Sequence, residues 1–116
     1  GDIPEGWSAQ LMRGSHDRLI AGAEQAAKGA LAGLPAAGAS DTLALLVSCV
    51  GRRLLMGQRT ADEVEAVQQA VQARLGERAR CIGFYSYGEL APRSASGVCE
   101  LHNQTMTVTL LTEAMA

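Results

Sequence analysis

Eight side chains, grouped at three points along the chain, have the chemistry to hold a small polar ligand. They are Ser48, Cys49 and Arg52; Tyr85, Tyr87 and Glu89; and His102 and Asn103. A ligand with a carboxylate needs a cation for it, and one with an ammonium needs an anion or carbonyl. Arg52 can supply a bidentate fork and Glu89 the opposite charge. Tyr85, Tyr87 and Asn103 then fix orientation, with the tyrosine rings as apolar walls. The aromatic distribution draws the eye to the same place. The chain has one Trp, two Tyr and one Phe, and Phe84, Tyr85 and Tyr87 lie within four residues of one another.

Other chemistry is thinner. Cys49 with His102 and Glu89 would make a nucleophilic site if the fold joined them, and Arg52 would then favour the thiolate. A hydrogen-bonded structural His102 and an ordinary ion pair for Glu89 are the plainer readings, as are packing for the tyrosines and surface pairing for Arg52 and Arg53. No P-loop, dinucleotide fingerprint or nucleophile elbow is present. His16 and His102 stand too far apart in sequence to suggest a metal pair. The expectation is therefore a protein without enzymatic activity, cofactor or metal.

Bulk properties narrow the class. The 116 residues suit one domain, residues 1–116, with 47% hydrophobic and 19% charged side chains. Net charge is −2 with no basic block, which argues against nucleic acid as a partner. Three scattered cysteines give neither a disulfide framework nor a zinc site; the expectation is reduced, mostly buried thiols in a cytoplasmic protein. No apolar run reaches the ~18 residues of a membrane span. The first residues, from Gly1 to Gly6, are loop-like and lack an initial Met, so the chain reads as part of a longer protein.

Periodicity supplies the elements that position these groups. Residues 7–12 alternate roughly in polarity and read as a strand. Ser15 caps a helix over 17–33 with an alanine-rich face, ended by Gly33, Pro35 and Gly38. Residues 42–49 are nearly all apolar, as in a strand covered on both faces. Thr60 to Glu63 form a capping box before a helix whose apolar face carries Val64, Val67, Val71 and Leu75, with Gly76 as the stop. Residues 81–87 make the next strand. Residues 100–111 make the last, with Met106, Val108 and Leu110 alternating with threonines. A connection of about ten residues with Pro92, Ser94, Ser96 and Gly97 joins that last pair. The fold class is α/β: a small mixed sheet in β-α-β-α-β-β order, two main helices, parallel crossovers and a C-terminal antiparallel hairpin. The carboxyl ends of the parallel strands and the start of the last strand then share one rim, where ligands bind in open α/β sheets.

Several strings also resemble the C-terminal part of FIST proteins. The most specific are Ser48-Cys49-Val50-Gly51-Arg52, Gly83-Phe84-Tyr85-Ser86-Tyr87-Gly88-Glu89 and Leu101-His102-Asn103-Gln104-Thr105. The resemblance runs from Gly1 to Glu113. It implies an intracellular sensory domain of signal transduction that binds small ligands, amino acids foremost. The partners it implies are an N-terminal FIST half or a signalling output domain. Two rivals stand beside that reading: an enzyme domain using Cys49 or His102, and a structural module whose tyrosine edge docks on an N-terminal half or on a second copy as a homo-oligomer.

Overall fold

The computed structural model describes residues 2–35, 41–93 and 97–113. Gly38, Ser94 and Ser96 of the expected connections lie outside them. Helix α1 spans His16–Ala32 and is capped by Ser15, whose hydroxyl accepts from the Arg18 amide at 3.5 Å. Ala23, Ala27 and Leu31, four residues apart, form its buried stripe. Strand β1, Thr42–Cys49, runs straight into a short helix α2, Val50–Met56. The sequence pattern gives no helix here, because Gly51 stands directly after the apolar run. Gly51 sits in the first turn, where the Cys49 Sγ accepts its amide at 3.4 Å, and good helix formers follow. A Cβ at position 51 would lie 3.2 Å from the Gln104 Cγ, so glycine also admits that side chain.

Helix α3, Thr60–Leu75, follows a single 3-10 turn and closes at Gly76, whose φ of 63° suits glycine. Its cap differs from the expected box. Arg59 is the N-cap, the Thr60 hydroxyl donates to the Gly57 carbonyl at 2.6 Å, and the Glu63 carboxylate turns inward. Strand β2 covers Ala79–Ser86, β3 Glu89–Pro92, β4 Cys99–His102 and β5 Met106–Thr112.

The class is the mixed α/β expected. A three-stranded sheet has the order β2-β1-β5, with β1 parallel to β2 and antiparallel to β5; β3 and β4 form a separate antiparallel hairpin. The stretch read as one strand over 100–111 is two. It breaks at Gln104, which adopts φ 57°, so that β4 pairs with β3 while β5 returns along β1. Residues 7–12 belong to neither sheet: the segment is exposed and pairs with no strand. Its short alternation fits a strand, but strand formation needs an edge to pair with.

Helices α1 and α3 pack on each other and cover one face of the sheet. Ala23, Ala27, Leu31, Ala44, Leu46, Val67, Val71, Ala79 and Met106 are the core. Full burial of Val67 and Val71 contributes about 1.5–3 kcal/mol each. The opposite face has no covering layer among the described residues. Leu43, Leu45 and Val47 are half-buried there by their neighbours, beside the exposed Ile82, Phe84 and Leu111.

Candidate functional site

Glu63 is the centre of the rim, and it was not among the expected site residues. Its side chain has no exposed surface. One carboxylate oxygen, Oε2, accepts from Arg52 Nε at 2.9 Å and from Arg52 Nη2 at 2.8 Å. The other, Oε1, accepts from the Ser48 hydroxyl at 3.0 Å and, at a long 3.5 Å, from the Tyr85 hydroxyl. Arg52, itself 4% exposed, also donates to the carbonyls of Leu19 at 2.8 Å and Gln104 at 3.4 Å. Five elements and a turn thus meet on one ion pair. Such pairing is what makes two buried charges tolerable.

A second carboxylate lies nearby. Glu89 is 2% exposed and accepts from the Thr105 hydroxyl at 2.8 Å and the Ser86 hydroxyl at 3.0 Å. The Ser86 hydroxyl is also 3.1 Å from the Gly88 carbonyl, and with one proton it serves one acceptor at a time. The turn over 103–105 joins the two centres. Its Gln104 carbonyl takes Arg52, and its Thr105 carbonyl takes the Cys49 amide at 3.0 Å.

The eight expected residues therefore divide. Ser48, Arg52 and Tyr85 meet on Glu63, while Cys49 and Glu89 meet on Thr105. A Cβ at Gly88 would lie 3.9 Å from the Asn103 Oδ1, which places Asn103 at the same rim. His102 faces Glu89 in the hairpin register, but its Nε2 is bonded to the Ala91 carbonyl at 2.9 Å. Tyr87 is 90% exposed and points away. The Cys49 thiol and the His102 imidazole are each bonded elsewhere, and no hydrogen bond joins them. Of the three thiols only Cys49 is buried; Cys81 is half-buried and Cys99 exposed, which corrects the expectation of mostly buried cysteines.

A cavity of about 170 Å³ opens beside the Glu63 centre, between β2 and α3. Leu46, Ser48, Val64, Gln68, Cys81, Gly83, Tyr85 and Met106 line it, with Ile82 and Phe84 at its β2 edge. The lining is apolar with a few polar groups, the usual make-up of a small-molecule site. Burial pushes the Cys81 thiol up from its ordinary pKa. The Tyr85 phenol is also raised, first by burial and then by the Glu63 charge, against the opposing pull of Arg53 and Arg52. The Arg53 guanidinium, on an exposed residue, sits 5.3 Å from the centre of the ring of Tyr85, one of the lining residues.

Sequence reasoning missed Glu63 because the capping box accounted for it. A signal was present. Glu63 lies four residues before Val67 and eight before Val71, on the buried stripe itself, and a carboxylate there requires a buried partner.

Among the described residues, no helix is long and apolar enough to cross a membrane, and no group of three His, Cys, Asp or Glu side chains could hold a metal ion. No curated protein and no solved structure matches the chain. The sequence model of the FIST C domain matches residues 1–92, from the first residue through β3. That family consists of sensory domains of signal transduction. With the match covering most of its length, the chain belongs to the FIST C domain family.

Proposed function

We propose that the chain is a non-enzymatic, cytoplasmic ligand-sensing domain whose ligand sits in the cavity between β2 and α3. The observation that carries this reading is the cavity's position. Its polar wall, Ser48 and Tyr85, hangs from the same Glu63 that anchors Arg52, so an occupant presses on the groups that tie α1, α3 and the 103–105 turn together. The volume of about 170 Å³ is below the ~300–1,000 Å³ of drug-sized pockets, which favours a small metabolite.

Amino acids are the ligand class proposed. The carboxylate of such a ligand pairs with Arg53 at the Tyr85 ring, the cation beside the cavity that the exposed surface offers. Gln68 and the Ser48 and Tyr85 hydroxyls supply orientation. In this reading Arg52 and Glu89, both engaged by protein partners, act as the frame of the site, Cys49, His102 and Asn103 as its rim, and Tyr87 lies outside it. The signalling partner proposed is an N-terminal FIST half or an output domain. The uncovered face of the sheet supports it, because an apolar sheet face is stable only when packed against another element.

Calorimetry with a panel of the common amino acids tests the reading, together with maleimide labelling of Cys81. At least one amino acid is expected to bind, to lose roughly tenfold in affinity in Arg53→Ala, and to slow Cys81 labelling. A panel that gives no heat and leaves Cys81 labelling unchanged overturns it.

A further inference from the structure

We propose that the segment from Trp7 to Met12 is a strand donated to a second copy of the chain, where it extends the three-stranded sheet at the β2 edge and closes the open side of the cavity. This goes beyond the ligand-sensing reading and rests on separate observations.

The first is the segment itself. Residues 2–13 are exposed throughout, Trp7 and Ile3 at 73%, Met12 at 80% and Leu11 at 100%. Several large apolar side chains in water on one short segment mark an interaction surface. Its base is fixed. The His16 Nε2 is 3.0 Å from the Leu55 carbonyl, Asp17 pairs with Arg59 at 2.9 Å, and Gly14 passes so close to Leu55 that a Cβ there would lie 2.5 Å from its Cδ2. From that base the arm projects. The radius of gyration is 15.7 Å, against the ~13 Å expected of a compact domain of this length, and the longest extent is 56 Å. A projecting arm on a fixed base reaches a neighbour, and two arms exchanged about a two-fold axis satisfy both molecules.

The second is the acceptor. β2 has β1 on one side and is an edge strand among the described residues. Such an edge is a template for another strand. Its alternation matches that of the arm. With Trp7 abreast of Arg80, Ala9 falls beside Ile82 and Leu11 beside Phe84, on the uncovered apolar face. Ser8, Gln10 and Met12 then fall on the face of Cys81, Gly83 and Tyr85, which line the cavity. The partner copy thereby contributes Ser8 and Gln10 as polar groups to the cavity wall.

The third is charge. Asp2 and Glu5 precede the arm's apolar residues and Arg13 follows them, while the exposed Arg80 stands near the start of β2. Parallel pairing brings the acidic end of the arm to Arg80, where the Trp7 ring also receives the guanidinium. Antiparallel pairing would bring Arg13 there instead.

Sedimentation equilibrium combined with Trp7 fluorescence tests this, since Trp7 is the only tryptophan. The expected species has twice the 12.1 kDa chain mass. Its Trp7 emission is blue-shifted and moves to that of a solvated indole on dilution, in step with dissociation. Arg80→Glu is expected to weaken the dimer about fivefold, the scale of a modest surface ion pair, and Glu5→Arg added to it to restore the affinity. A monomer with blue-shifted emission means the arm has paired with its own sheet, and a monomer with solvated emission means it has paired with nothing. Either overturns the proposal, as does a dimer indifferent to the Arg80 and Glu5 exchange.

Discussion

Replacing Glu63 by Gln tests the centre of the structure with little change of shape. The amide keeps an oxygen for Ser48 but removes the charge that Arg52 faces through two nitrogens at 2.8 and 2.9 Å. Arg52 would retain the Leu19 and Gln104 carbonyls, at 2.8 and 3.4 Å, which leaves a buried guanidinium with no counter-charge among the groups it bonds. Breaking a buried pair in this way costs about 3–5 kcal/mol. At an m of ~1.5–2 kcal/mol per molar urea, the midpoint falls by roughly 2 M. The melting temperature falls by about 12–20 °C, at roughly 4 °C per kcal/mol for a domain of this size. Removing both charges as Arg52→Met with Glu63→Leu recovers most of that loss, because an apolar pair carries no desolvation cost. Urea unfolding followed by far-UV circular dichroism reads both variants. A Glu63→Gln protein within ~0.5 kcal/mol of the parent, or a double variant no better than the single, refutes the assignment of Glu63 as the anchor of the fold.

Two further outcomes are expected. Gly83→Ala places a Cβ against the Leu46 carbonyl oxygen and 2.9 Å from the Leu46 Cβ, so β2 must move off β1 at a cost of about 1–3 kcal/mol, read by urea unfolding; an unchanged midpoint would mean β2 shifts freely. Tyr85, whose phenol is raised by burial and by Glu63, favours the folded state fully below the unfolded value of ~10 and loses that contribution as pH rises through its raised folded value. The parent should therefore lose stability above pH ~10 more steeply than Tyr85→Phe, and parallel pH profiles would remove Tyr85 from the buried centre.

Much of this was legible where one local signal decides the outcome. β1 falls on Thr42–Cys49 as its apolar run indicates, and α3 on Thr60–Leu75 as its valine stripe and Gly76 indicate. The alanine face of α1 packs closely, as small side chains allow. What was not legible is pairing and partnership. Nothing local says that the 100–111 stretch breaks at Gln104 to serve two sheets, because the break is made by what each half pairs with. Residues 7–12 alternate like a strand, yet alternation supplies no edge to join. Glu63 satisfied a capping pattern and a buried stripe at once; the stripe prevailed because Arg52, eleven residues earlier, lay within reach. The shared edge was legible in outline, since topology puts the ends of β1 and β2 beside the start of β5, but Thr105, which bonds Cys49 and Glu89 there, was not among the residues it pointed to.

The junction of β1 with α2 has a mechanical consequence. Cys49 ends the strand and Val50 begins the helix, so no slack separates the sheet from a seven-residue rod. A tilt of Ser48 would therefore move α2 with it and be felt at the far end of the helix. There Leu55 holds His16 and, four residues on, Arg59 holds Asp17. A push felt inside the molecule would emerge where the leading segment departs from α1, far from where it was applied.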